Sequence, residues 1–173
     1  MKKLLFLALC LITLSPLRLM AEIIPASDSR VTYVGRTWVE DGAVSFDWTA
    51  VYCRIAFSGK SLTLRASDMK WDATPEMAAT RHNYFNVWID APMSAEPHRI
   101  IEIASTDTVI ELIDPAYLKK SRRAVHEVII QKRTEGEQGK TTFLEFATDT
   151  KGTFLQAEKI KPRQLEFIGA SYD

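Results

Sequence analysis

The chain has 173 residues, 46% of them hydrophobic and 25% charged, with 22 Lys and Arg against 22 Asp and Glu. That length fits one globular domain; the apolar share excludes a disordered chain, and two cysteines are too few for a disulfide scaffold. Balanced charge leaves no overall basic field for nucleic acid, so function has to be sought in motifs.

Residues 1–21 come first. Lys2 and Lys3 precede an apolar run from Leu4 to Leu14, a Ser15-Pro16 break, and the small residue Ala21 before Glu22. This is the order of a secretory signal peptide, and the run is too short to span a bilayer. Cleavage after Ala21 and a secreted or periplasmic location are expected, with no membrane span. Cys10 follows the bulky Leu9 in the middle of the apolar run, which argues against lipid attachment there. Loss of Lys2, Lys3 and Arg18 leaves 19 basic against 22 acidic groups and one cysteine, Cys53. A lone thiol cannot staple the fold, so the remaining 152 residues must be held by an apolar core, with Cys53 a small buried hydrophobe on a strand.

Strands then follow in chain order: Val31–Trp38, Val51–Phe57, Leu62–Ala66, Tyr84–Ile89, Arg99–Ile103, Val109–Ile113, Val125–Ile130, Thr141–Phe146 and Gln164–Ile168. In Val51–Phe57 and Leu62–Ala66 apolar and polar side chains alternate, which places each set on one sheet face. Ser58-Gly59-Lys60 and Gly136–Gly139 read as hairpin turns joining their flanking strands. Pro115–Lys120 is a short helix candidate. Many short strands at roughly ten-residue spacing predict an all-β chain, an antiparallel β-sandwich of jelly-roll type.

Few residues offer chemistry. The three histidines, His82, His98 and His126, do not stand at metal-ligand spacing from one another or from Cys53, so no metal is expected. The alternation Val125–Ile130 puts His126 on the face of Val128 and Ile130, as a hydrogen-bonded structural group. Glu40-Asp41 before Gly42, and Asp68 and Asp72 beside a loop, read as solvated turn acids, while Lys119–Arg123 reads as a solvated basic loop. Trp38, Trp48 and Trp88 lie in or beside strands and read as core. Trp71, in the polar stretch from Ser67 to Pro75, is the candidate for an exposed sugar-stacking ring.

The carboxyl end adds a motif. Pro162 is followed by the apolar Leu165–Ile168 and then Gly169-Ala170-Ser171. A serine on a sharp strand-to-helix turn exposes its hydroxyl to a base and to backbone donors, and this segment looks like the opening of an SGNH (GDSL-type) esterase domain. Read with Val34-Gly35-Arg36, Phe57–Leu62, Asn83–Asp90, His126-Glu127-Val128, Lys132-Arg133-Thr134-Glu135 and Gly139, the chain resembles in order and spacing the amino-terminal jelly-roll domain of carbohydrate esterase family 2. The resemblance runs from Val31 to Ser171. Members of that family are exported deacetylases of plant polysaccharides, chiefly acetylxylan, with this sandwich in front of an SGNH catalytic domain. It therefore implies a plant cell-wall polysaccharide, acetylated xylan or mannan, as partner, no cofactor, and Ser171 in the nucleophile position. Ala170 stands where the family usually has Asp, and Asp90-Ala91 replaces the more usual Asp-Gly.

The expected organisation is a signal peptide over 1–21, a sandwich over 22–162, and over 163–173 a stub of the first strand and nucleophile turn of an SGNH domain. A serine nucleophile needs a histidine base and oxyanion donors downstream. Only Tyr172 and Asp173 follow Ser171, and the three histidines do not match the family's catalytic position, so this polypeptide is expected to be inactive by itself. Without its parent sheet, the strand at Gln164–Ile168 is expected to be poorly ordered from about Lys161 onward. The alternative reading is a free-standing carbohydrate-binding sandwich that uses Trp71.

Overall fold

A computed structural model of the chain describes residues 21–69, 82–113 and 115–156. These hold twelve strands: β1 (Ile23–Pro25), β2 (Thr32–Val34), β3 (Trp38–Glu40), β4 (Ala43–Phe46), β5 (Tyr52–Ser58), β6 (Leu62–Met69), β7 (Asn83–Ile89), β8 (Arg99–Ile103), β9 (Thr108–Glu111), β10 (His126–Lys132), β11 (Lys140–Thr148) and β12 (Thr153–Leu155). One short helix, α1, spans Pro115–Lys120, with the predicted bounds. One sheet runs β3–β4–β11–β6–β9, with β1 also on β11; the other runs β12–β5–β10–β7–β8, with β2 also on β5. Every pairing in both is antiparallel. From β4 to β12 the chain changes sheet at every step but β7 to β8, which is the interleaving of a jelly roll. The predicted fold class is thus the observed one.

That interleaving corrects the two glycine hairpins. β5 and β6, joined by Ser58-Gly59-Lys60, lie in different sheets, as do β10 and β11, joined through the 3-10 turn Gly136–Gln138. Gly59 and Gly139 do take positive φ, 138° and 105°, but they serve arches over the sandwich edge. A tight two-residue hairpin occurs instead at Asp41-Gly42, with φ of 48° and 83°, between β3 and β4.

The predicted strand Val31–Trp38 is likewise divided. Gly35 has φ of 114°, and a Cβ there would sit 2.8 Å from Val51 Cγ2. The chain turns at this close approach and passes from β2 in one sheet to β3 in the other. β1, β4 and β12 had no counterpart in the predicted set. The predicted strand Gln164–Ile168 lies outside the described residues.

The core lies between the inner faces. Cys53, Ile55 and Phe57 of β5, Phe85, Val87 and Ile89 of β7, and Val128 and Ile130 of β10 face Val44, Phe46, Leu62, Leu64, Phe143 and Phe146. Phe143 makes edge-to-face contacts with Phe46 and Phe146, at centroid distances of 4.9 and 6.1 Å. Cys53 is buried as expected, and burial pushes its thiol well above the usual range, so it is neither charged nor reactive at neutral pH.

Candidate functional site

Both residues singled out for function, Ser171 and Trp71, lie outside the described residues, as does Asp72. On either side in sequence of the stretch containing Trp71, Asn83 of β7 donates to Asp68 of β6 over 2.7 Å.

Trp38 and Trp48 are not in the core. Trp38 is 46% exposed and Trp48 55% exposed, whereas Trp88 is buried and donates its indole N–H to the Ala95 carbonyl at 2.8 Å. The reason for the exposure is register. Trp38 pairs with Ser45, whose neighbours Val44 and Phe46 point inward, so both side chains at that rung point outward. Trp48 follows the end of β4, where the chain leaves the sheet. The Arg36 guanidinium lies 5.9 Å from the ring centre of Trp38 and 6.0 Å from that of Trp48, so one cation is shared by two half-bare indoles. The same rung continues across the sheet through Thr142 to Ser67, and Ser45 Oγ lies 2.8 Å from Thr142 Oγ1. An outward-facing row of hydroxyls thus begins at the aromatic pair.

The other polar groups lie at the two ends of the inner face. β10 turns His126, Val128, Ile130 and Lys132 inward, so a titratable residue closes each end of an apolar row. Lys132 is 1% exposed and donates to Thr134 O at 2.9 Å, Thr134 Oγ1 at 3.1 Å and Glu135 O at 3.1 Å. Thr134 Oγ1 in turn donates to Asn83 Oδ1 at 2.7 Å. Burial lowers the Lys132 ammonium to about 8, against the opposing pull of the Asp68 and Asp47 carboxylates. Asp68 is therefore a buried member of this network at the end of a strand, not the solvated turn acid expected from its neighbours.

At the other end His126 Nδ1 is 2.8 Å from Asp90 Oδ2, and both side chains are almost fully covered. Asp90 also accepts the Glu127 amide at 3.0 Å and the Tyr117 hydroxyl at 3.3 Å. The structural role expected for His126 is the one observed. Beside it an open groove of about 510 Å³ is lined by Ile89, His98, Arg99, Glu111, Pro115 and Tyr117. There His98 Nδ1 accepts the Ile89 amide at 3.2 Å, and Arg99 donates to the Glu111 carbonyl at 2.6 Å. His82 pairs with Glu102. Among the described residues, no serine hydroxyl is hydrogen-bonded to a histidine, and these three rings are engaged in holding strands and loops together.

Sequence reasoning missed the exposed Trp38–Arg36–Trp48 cluster and the buried Lys132. The second was within reach, because the alternation that places His126 inward places Lys132 inward too. The first turned on the outward rung at Ser45, which the predicted strands did not contain.

Comparison with known proteins agrees with this architecture. The carbohydrate esterase 2 N-terminal family matches residues 33–157. An acetylxylan esterase / glucomannan deacetylase of Cellvibrio japonicus is 32% identical over 143 residues, covering 80% of this chain and 33% of its own length. The chain thus spans about a third of that curated relative. Among solved structures, a family two carbohydrate esterase from Cellvibrio japonicus superposes with a TM-score of 0.61 at 23% identity, covering 79% of this chain and 35% of that one. One from Clostridium thermocellum, in complex with cellohexaose, gives 0.58 at 20% identity, covering 75% and 34%. With a jelly roll of this topology and a match over most of its described length, the chain belongs to the carbohydrate esterase 2 N-terminal family.

Proposed function

We propose that this chain supplies the amino-terminal, non-catalytic sandwich of an exported deacetylase acting on acetylated plant polysaccharide, xylan or mannan. In this reading 1–21 is a signal peptide removed after Ala21, 22–162 is the sandwich, and 163–173 opens an SGNH catalytic domain with Ser171 as its nucleophile. The observation that carries the reading is the family match over 33–157, at the amino-terminal side of the Phe167-Ile168-Gly169-Ala170-Ser171 junction.

The histidines support the non-catalytic part. His126 is held by a buried carboxylate inside the sandwich, His98 by a backbone amide, and His82 by Glu102, so among the described residues none is hydrogen-bonded to a serine as a base. Residues 22–173 by themselves are expected to release no acetate from acetylated xylan or an aryl acetate. Acetate release that disappears in Ser171→Ala would overturn the assignment.

A further inference from the structure

We propose that Trp38, Trp48 and Arg36, with the hydroxyl row of Ser45, Thr142 and Ser67, form a binding surface for a neutral β-linked polysaccharide chain on the outer face of the β3–β4–β11–β6–β9 sheet. This rests on the reading of the protein as part of a polysaccharide deacetylase, and it gives the sandwich a task of its own within that protein: holding the glycan backbone.

The chemistry of the surface selects the ligand. A pyranose ring has two apolar C–H faces and a rim of hydroxyls. It therefore needs flat apolar rings beside hydrogen-bonding groups, and this rung offers both. Because the guanidinium is 5.9 and 6.0 Å from the two ring centres, their separation cannot exceed the sum of those distances, 11.9 Å. Consecutive sugars of one chain can reach both indoles. The shared guanidinium holds the rings in place from one side and keeps N–H donors for sugar hydroxyls. From Trp38 the row of Ser45, Thr142 and Ser67 crosses three strand spacings, about 14 Å, along which an oligosaccharide can lie. Glu40, on the same face two residues beyond Trp38, adds an acceptor and offsets the Arg36 charge, so these two groups together leave no net charge to draw an ionic chain.

A protein occupant fits the surface less well. The centres of protein interfaces are depleted in serine and packed dry with apolar groups, whereas this rung is three hydroxyl side chains wide. The position of β12 points the same way. β12 pairs with Ala56–Ser58 at one end of β5 in the other sheet, while Trp48 lies near the opposite end, where Thr49 Oγ1 donates to Thr134 O. β12, the last described strand, therefore lies in the other layer and at the other end from the two indoles.

Native-gel affinity electrophoresis of the full chain in glucomannan and in xylan, with calorimetry on cellohexaose, tests the surface. Wild type should be retarded, and Trp38→Ala and Trp48→Ala should each weaken binding about tenfold or more. Thr142→Val should weaken it less, and Trp38→Tyr should retain part of it. Unchanged urea midpoints for these exposed positions would show that the fold is intact. Retardation unaffected by either tryptophan change would overturn the surface and place glycan contact elsewhere on the chain. Absence of any retardation would overturn it too, while leaving the domain assignment to the acetate assay.

Discussion

A lysine buried to 1% needs its charge answered, and Lys132 finds three oxygens within 3.1 Å, all from Thr134 and Glu135. The ammonium gathers the loop after β10 around itself, and through Thr134 and Asn83 ties that loop to β7 and to Asp68 of β6. Lys132→Met keeps the stem volume but removes the ammonium that draws these oxygens together; Thr134 O keeps the Thr49 hydroxyl and Glu135 O keeps the Gln138 amide, so the change should cost about 1–2 kcal/mol in urea unfolding. The pH dependence has a definite sign. Lys132 loses its proton near 8 when folded and near its ordinary 10.5 when unfolded. Between those values the unfolded chain binds more protons, so stability from this group rises with pH. The wild-type midpoint should therefore rise from pH 7.5 to 9.5 by an increment absent from Lys132→Met. The inward side of Lys132 was within reach of the sequence, because it shares the alternation of His126; its partners were not, because two of the oxygens that answer the charge are backbone carbonyls of the loop after β10. Trp38 was hidden in another way: an aromatic in a strand looks buried until its rung is known to face out.

Among the elements, β5 was the most legible, because Cys53, Ile55 and Phe57 alternate with Tyr52 and Arg54 and do line the core. The connections were the least. Glycine supplies positive φ to an arch between sheets as readily as to a hairpin within one, so turn chemistry alone does not say which sheet the next strand joins. The arches have a steric demand of their own. A Cβ at Gly152 would lie 2.5 Å from Thr148 Cβ and 2.7 Å from the Ser58 carbonyl, and one at Gly59 would lie 3.0 Å from Gly152 Cα. These two glycines let the β5–β6 and β11–β12 connections touch. Gly152→Ala must push them apart, and an expected loss of about 2–3 kcal/mol is checked by thermal or urea unfolding. A change below about 0.5 kcal/mol would mean the arches yield without cost.

At the scale of the whole molecule, the first and last described strands are joined through one carboxylate. Glu22 takes Arg30 Nη1 at 2.7 Å, the Phe154 amide at 2.7 Å and the Thr153 hydroxyl at 2.8 Å, while its own carbonyl accepts the Thr148 amide at 3.0 Å. Burial alone would raise its carboxyl, but the bonds from Arg30, Phe154 and Thr153 outweigh it and hold the group below the usual range. The stability this carboxylate contributes is present above its unfolded value and lost as pH falls through the folded one. Glu22→Ala should cost about 1–3 kcal/mol at pH 7, and the gap from wild type should shrink in urea titrations below about pH 4. Neither this closure nor its partners could be read from the sequence, because Glu22 and Phe154 are distant in the chain and β1 and β12 are only three residues each.

The sheet-to-sheet weave also governs how the molecule comes together. β1 pairs with β11, β2 with β5 and β12 with β5, so neighbours in space are seldom neighbours in the chain. Folds dominated by such distant pairings form in milliseconds to seconds, because long loops must close before any contact rewards them. The Asp41-Gly42 and β7–β8 hairpins are the local pieces available to begin assembly, and the Glu22 clasp, which needs both ends of the sandwich already in place, is a late one. While it is unmade, the rungs of β5 and β11 that β12 and β1 cover stand open, and mispairing is most readily made during that interval.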